Sequence, residues 1–205
     1  MNVGFFDNNT IIHYVQYIFK VWYNIKMIVF ALGNPGKEYE LTRHNAGRIV
    51  LPVDSGQFTV DNNSKIQILY PDTYMNESGQ YVSKVMRQKP EGTFWAVIHD
   101  DIDLPIGTMK LSVGSGHGGH NGIRSIIDHM GKDFVRIRIG ICPVDTEGKL
   151  RKPRGFWGQN KTADYVLQKF SGPELEKIRA LTPTVVKALE TISTEGIEKA
   201  MSLYN

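Results

Sequence analysis

Apolar residues in this chain follow two rhythms. Residues 27–32, MIVFAL, form an uninterrupted apolar run that predicts a buried strand, ending at the loop GNPG. Residues 66–70, IQILY, predict a second strand. Residues 94–99, FWAVIH, predict a third that stops at Asp100-Asp101, which leaves acids just past a strand end. Residues 108–113, TMKLSV, alternate weakly. Residues 134–141, FVRIRIGI, alternate clearly: Val135, Ile137, Ile139 and Ile141 face one way, Arg136 and Arg138 the other.

The second rhythm is helical and falls between these runs. Ile123, Ile126, Ile127 and Met130 stand at i, i+3, i+4 and i+7, which predicts a helix over 122–130 stopped by Gly131. A helix over 77–87 is predicted with Asn76 as its N-cap, and Asn121 is suited to cap the later one. Toward the C-terminus, Ser171 and Glu174 have capping-box spacing. Val185, Val186, Leu189 and Ile192 form an apolar stripe, and Pro183 divides the region into two helices rather than one. Strands alternating with helices predict a three-layer α/β fold.

Length and composition narrow the picture. The chain has 205 residues, 41% hydrophobic and 22% charged, which suits one globular domain with a full core. It has a single cysteine, Cys142, so no disulfide framework forms within one chain and a reducing compartment is the natural setting. No apolar run reaches the roughly 18 residues that a membrane span needs. Residues 1–26 are rich in aromatics and Asn and lack the marks of a presequence or secretory signal. They are read as an extension ahead of a domain spanning 27–205: an extra helix or, as favoured here, upstream sequence from an early start codon.

Charge matters by its distribution. The chain's formal net charge is +3. Arg136, Arg138, Lys149, Arg151, Lys152, Arg154 and Lys161 are opposed within their stretch only by Asp145 and Glu147, a local excess larger than the whole chain's. Residues 142–162, with Gly148, Pro153, Gly155 and Gly158, are predicted to be a long loop. A basic loop beside a strand with arginines on one face suits a phosphate backbone; the plainer alternative is a solvated surface.

Three chemistries compete for the glycine-rich stretch GSGHGGHNG, residues 114–122. Gly114, Gly116 and Gly119 fit the dinucleotide-loop spacing, but the preceding strand is half polar and lies late in the chain, whereas such loops follow the first strand of their unit. His117 and His120, with Asp100, Asp101 and Asp103, could ligate a metal, yet no recognised ligand spacing is present. Acid–base hydrolysis fits better. His44 sits among small and polar residues in TRHNAG, and a carboxylate at a strand end could hold it as a base near neutral pH. Asn34, Asn76 and Asn121 lie at loop or cap positions where a neutral amide can bind a carbonyl or an oxyanion. No Gly-x-Ser-x-Gly elbow is present and Cys142 has no partner nearby in sequence, so water is the expected nucleophile.

Taken in order, LGNPGKEYELTRHNAG (32–47), DTYMNESGQYV (72–82), HDDIDLPIGTMKL (99–111), GSGHGGHNGIRSI (114–126), FVRIRIGI (134–141) and DYVLQKFS (164–171) resemble the signatures of the bacterial-type peptidyl-tRNA hydrolase family. The resemblance runs from about residue 27 to the C-terminus. It implies an α/β, phosphorylase/hydrolase-like fold with a mixed, twisted sheet sandwiched by helices. It implies a monomeric cytoplasmic enzyme of translation, needing no cofactor or metal and no membrane. That enzyme cleaves the ester joining a peptide to the terminal ribose of tRNA. By the same resemblance His44 is the base and Asp100 its carboxylate. Asn34, Tyr39, Tyr74, Asn76 and Asn121 hold substrate, and Lys110 and Arg138 meet the acceptor stem; Lys149, Arg151 and Lys152 are expected to join them by the charge of the basic loop, not by the resemblance. His117 and His120 are left to lining or support.

The sequence departs from that pattern in places. Ala31 stands where the family usually has Gly, Arg48 where it has an aromatic, and Ser112 at a usual basic position. The segment after Gly47 is short, which puts the first helix and the following strand pair in doubt. Residues 148–161, GKLRKPRGFWGQNK, read as an insertion. Two alternatives remain: a non-catalytic RNA-binding relative of the same fold, and a nucleotide-dependent oxidoreductase resting on the glycines alone.

Overall fold

The computed structural model describes residues 25–51, 57–61, 64–152 and 161–205. Residues 1–24 and 153–160, and with them most of the extension and Arg154, lie outside the described residues. Among the described residues six strands form one sheet: β1 (Ile25–Ala31), β2 (Gln57–Asp61), β3 (Ser64–Leu69), β4 (Trp95–Pro105), β5 (Met109–Val113) and β6 (Val135–Cys142). Their order is β2-β3-β1-β4-β6-β5. The inner four run parallel, and β2 and β5 close the two edges antiparallel. The mixed α/β sheet expected from the sequence is therefore present, including the strand pair that the short segment had put in doubt.

Among the described residues seven α-helices accompany it: α1 (Ala46–Ile49), α2 (Ser78–Met86), α3 (Asn121–Met130), α4 (Lys161–Val166), α5 (Gly172–Arg179), α6 (Thr182–Glu195) and α7 (Ile197–Tyr204). β1 shows why the layers form. Ile28, Phe30 and Leu32 join a core with Val82 of α2 and Ile123 and Ile126 of α3. Met27, Val29 and Ala31 join the opposite core with Val185 and Leu189 of α6. A strand buried on both faces needs apolar residues at every position, as MIVFAL supplies. Ala31 fits its position without exposure. On the α2–α3 side, Phe30 meets Tyr81 and Trp95 edge-on, and Trp95 stacks on Phe134.

Several boundaries differ from expectation. β4 does not stop at His99 but runs to Pro105, so Asp100 and Asp101 lie within the strand. Their backbones pair with Ile139 and Gly140 of β6, and the register shifts only beyond Asp101. Ladder hydrogen bonds are made by the backbone, so a polar side chain need not end them. Helix α2 follows a 3₁₀ turn, Met75–Glu77, headed by Tyr74; Asn76 lies within the turn, exposed, and caps neither element. The residue capping α3 is His120, with Asn121 its first helical residue. The C-terminal region holds three helices, because Pro183 opens α6 and Gly196, at φ 91°, ends it. The capping box of Ser171 and Glu174 is present. In the basic loop, Val144 and Leu150 form a short bridge around a turn at Asp145.

Candidate active site

The chain leaves β1 for β3 on one side and returns at β4 on the other, so the carboxyl ends of β1 and β4 flank a topological switch point. Open α/β sheets bind ligands in such crevices. Here Gly33 and Asn34 follow β1, Asp100 stands on β4, and the 3₁₀ turn Arg43–Asn45 carries His44 across the gap. Two features hold that turn. Its backbone pairs with residues 168–170: Arg43 N–H donates to Gln168 O, and Phe170 N–H to Leu41 O. Gly47 lets α1 lie against β4, since a Cβ there would stand 2.5 Å from the Ile98 carbonyl oxygen.

His44 Nδ1 lies 2.8 Å from Asp100 Oδ1, and His120 Nε2 lies 2.9 Å from the same oxygen. The tautomers follow from the neighbours. His120 Nδ1 accepts from the N–H groups of Gly122 and Ile123, so its proton is on Nε2, donated to Asp100. Asp100 then accepts from His44 Nδ1–H, so in the neutral imidazole His44 Nε2 is the acceptor, without a hydrogen bond among the described residues. Burial disfavours a charge on His44, but the Asp100 carboxylate and its hydrogen bond prevail, raising the pKa above the usual 6.5. Burial likewise works against the Asp100 charge, and the two imidazoles outweigh it, holding the carboxyl well below its usual range. Burial, reinforced by His120, keeps His99 neutral. Its Nδ1 bonds to the Asp100 backbone carbonyl at 2.7 Å.

A cleft of about 580 Å³ opens over this pair, lined by His44, His99, Asp100, His117, His120, Asn121, Arg136, Arg138, Lys152 and the glycine loop. That loop joins the antiparallel edge strand β5 to α3, with Gly114, Gly118 and Gly119 at positive φ. Its helix amides are not free for a pyrophosphate, because the His120 imidazole already takes two of them. Arg136 holds the loop from beneath, donating to Gly116 O at 2.6 Å and Ser115 O at 2.5 Å while its guanidinium rests over Phe134. His44, Asp100 and His120 are also a group that could offer three metal-ligand atoms. His44 Nδ1 and His120 Nε2 each lie at hydrogen-bond separation from Asp100 Oδ1, closer than the ~3.4 Å between ligands of a tetrahedral site with ~2.1 Å bonds. A shared-proton chain fits the spacing better than a metal cage.

The other sequence-predicted residues divide. Asn34 is buried beside the pair: Asn45 takes both its N–H and its C=O, and its Oδ1 accepts from Met75 N–H at 2.9 Å. Asn121 lines the cleft. Tyr39 and Tyr74 meet edge-on outside the cleft lining, and Tyr74 is exposed, as is neighbouring Asn76. Among the basic residues, Arg138 and Lys152 reach the cleft, each bound to an acid: Arg138 Nε to Asp101 at 2.6 Å and Lys152 Nζ to Asp103 at 2.5 Å. Lys110 is exposed opposite Arg138 across β5 and β6. Lys149 pairs with Glu147, and Arg151 is exposed. Arg136, counted with the basic surface, is buried.

Two contributors were not legible as such. His120 is a direct partner of Asp100 as well as a cap; the readable signal was a His immediately before a helix start. Arg43 is a buried anchor, bonded through Nη2 to both Glu174 carboxylate oxygens at 2.9 Å and stacked over Tyr165 and Phe170. Nothing local in TRHN announces a partner in α5.

A three-layer α/β fold with a buried histidine–carboxylate pair at its switch point, open to a cleft, has the arrangement that acid–base chemistry requires. The peptidyl-tRNA hydrolase family model matches residues 28–205. The chain is 39% identical to the peptidyl-tRNA hydrolase of Syntrophotalea carbinolica, over 87% of this chain and 96% of the relative, and equally to that of Fervidobacterium nodosum, with the same coverage. A crystal structure of the peptidyl-tRNA hydrolase from Acinetobacter baumannii superimposes with a TM-score of 0.66 at 32% identity, covering 89% of this chain and 95% of that one. The chain belongs to the peptidyl-tRNA hydrolase family.

Proposed function

We propose that this chain hydrolyses peptidyl-tRNA, cutting the ester between the peptide and the 3′-terminal ribose, with His44 as the base. The observation that carries the reading is the His44–Asp100 hydrogen bond at 2.8 Å, which in the neutral imidazole makes Nε2 the acceptor nitrogen beside the cleft. A water held there loses its proton to Nε2 as its oxygen attacks the ester carbonyl carbon. The tetrahedral intermediate collapses by breaking the bond to the ribose oxygen, which takes the proton back from His44. The products are a free carboxyl-terminated peptide and a tRNA with a 3′-terminal hydroxyl. Asp100 stabilises the transient imidazolium, and such positioned acid–base help is worth roughly 10²–10⁴ in rate.

Asn34 and Asn121 are assigned to the carbonyl and the tRNA 3′ end, with Tyr39, Tyr74 and Asn76 as the outer wall that meets the peptide. Lys110 and Arg138 are assigned to acceptor-stem phosphates, with Lys149, Arg151 and Lys152 as further contacts. Since Asp101 and Asp103 already offset Arg138 and Lys152, Lys110 and Arg151 are the stronger candidates. We take the protein to act as a cytoplasmic monomer with its functional domain over 27–205 and no cofactor; no helix among the described residues is long and apolar enough to cross a membrane. The test is incubation of the purified chain with a model peptidyl-tRNA. Release of free tRNA and intact peptide is expected; RNA binding without cleavage would favour the binding-only alternative.

A further inference from the structure

Arg48, the first residue after the TRHNAG turn, is half-buried and has no carboxylate bound to it among the described residues. Its Nη2 donates instead to two backbone carbonyls, Gly33 O at 2.5 Å and Pro71 O. The two oxygens belong to separate segments. Gly33 directly precedes Asn34; Pro71 opens the stretch that leads to Tyr74, Met75 and Asn76. The same segments are joined a second time where Asn34 Oδ1 accepts from Met75 N–H. The Arg48 side chain also fills the space at Gly33, where a Cβ would come within 2.7 Å of it.

We infer that Arg48 is a positioning residue for substrate, a clasp that sets the Asn34 loop against the Tyr74–Asn76 turn. The inference rests on the reading of those residues as substrate-holding. The Asn34 side-chain oxygen is committed to Met75, so its Nδ2, which has no hydrogen bond among the described residues, is the atom left to meet a ligand. Where Nδ2 sits depends on the loop's backbone. Asn45 fixes that backbone at Asn34 itself, and Arg48 fixes it one residue earlier. A charged donor shared between two carbonyls makes stronger hydrogen bonds than a neutral one, and an apolar side chain there would leave both oxygens unpaired. The clasp touches neither His44 nor Asp100, so it governs where the substrate lies and not the basicity of the base.

The test is a double-mutant cycle on peptidyl-tRNA hydrolysis with Arg48→Met and Asn34→Ala. Arg48→Met should lower kcat/KM about tenfold in the wild-type background and less than about twofold once Asn34 is gone, because the clasp then has nothing to aim. The acid limb of its pH–rate profile should coincide with wild type. Equal losses in both backgrounds, a displaced acid limb, or no loss would overturn the inference. If Arg48→Met fails to fold, Arg48→Lys replaces it, with at least a threefold loss expected in the wild-type background and none beside Asn34→Ala. Any other pattern for that variant also overturns the clasp. His44→Ala is run alongside. Turnover that survives it removes the proposed function itself, whereas His44-dependent turnover without the non-additivity removes only the clasp.

Discussion

Replacing Asp100 by Asn isolates charge from geometry. Both imidazoles bond to the same carboxylate oxygen, Oδ1, and an amide can keep an oxygen there. Asp100→Asn therefore preserves both hydrogen bonds and both tautomers while removing the negative charge. Two influences raise the pKa of His44 against burial, the Asp100 charge and its hydrogen bond. Without the charge, burial prevails, and the acid limb of kcat/KM should move from above pH 6.5 to below it. For unit charges about 4 Å apart at an effective dielectric near 20, the lost attraction is about 4 kcal/mol. That sets a ceiling of about 10³-fold on the loss of rate, reached only if the imidazolium were fully formed in the transition state. A loss between about 10-fold and 10³-fold is expected on the alkaline plateau of the two profiles, beyond both acid limbs. The assay is single-turnover release of tRNA between pH 5.5 and 9, with circular dichroism to show that the variant is folded. A limb that stays above pH 6.5, or a plateau rate within twofold of wild type, would refute the electrostatic account of the pair.

Other consequences are open to the same assays. His120→Asn keeps an N-cap for α3 but cannot span to Asp100, so the melting temperature should hold within about 2 °C while kcat falls about tenfold. Loss of stability without loss of rate would show that His120 only caps. Gly79→Ala would put a Cβ 2.0 Å from the Ser125 carbonyl oxygen and force α2 from α3; a cost of about 2 kcal/mol is expected in urea unfolding, despite the better helix propensity of Ala. Lys110→Gln should weaken tRNA binding and lower the salt slope by about 0.7–0.9, whereas Arg138→Gln should change it less because Asp101 offsets that charge; equal slopes would count against this ranking. The raised pKa of His44 contributes stability that is full below pH 6.5 and lost as pH rises through the folded-state value, so wild type should lose melting temperature above pH 6.5, and His44→Gln should flatten that decline.

Much of the fold was readable because burial imposes period. The continuous run in β1, the alternation in β6 and the i, i+3, i+4 stripe of α3 each carry their geometry in side-chain spacing. Asp100 was misplaced past the end of β4 because apolarity was taken as the mark of a strand, and the ladder to β6 continues through polar residues. The caps failed for a related reason: Asn76 and Asn121 have good cap chemistry, but the turn before α2 shifts its start, and an imidazole serves α3 where an amide was expected. The pairing of His44 with Asp100, 56 residues apart, could not be read from spacing and came through the family resemblance. The basic residues show the limit of charge counting. Arg136 is spent on the glycine loop and Arg43 on Glu174, uses that depend on partners distant in sequence.

The central claim is that His44 activates water for ester cleavage of peptidyl-tRNA. Its direct measurement is the single-turnover rate of tRNA release by wild type and His44→Ala at equal, saturating enzyme concentration. The account predicts rapid release by wild type and a loss of about 10²–10⁴ in the variant, with tRNA binding retained. Release by His44→Ala at the wild-type rate would contradict it.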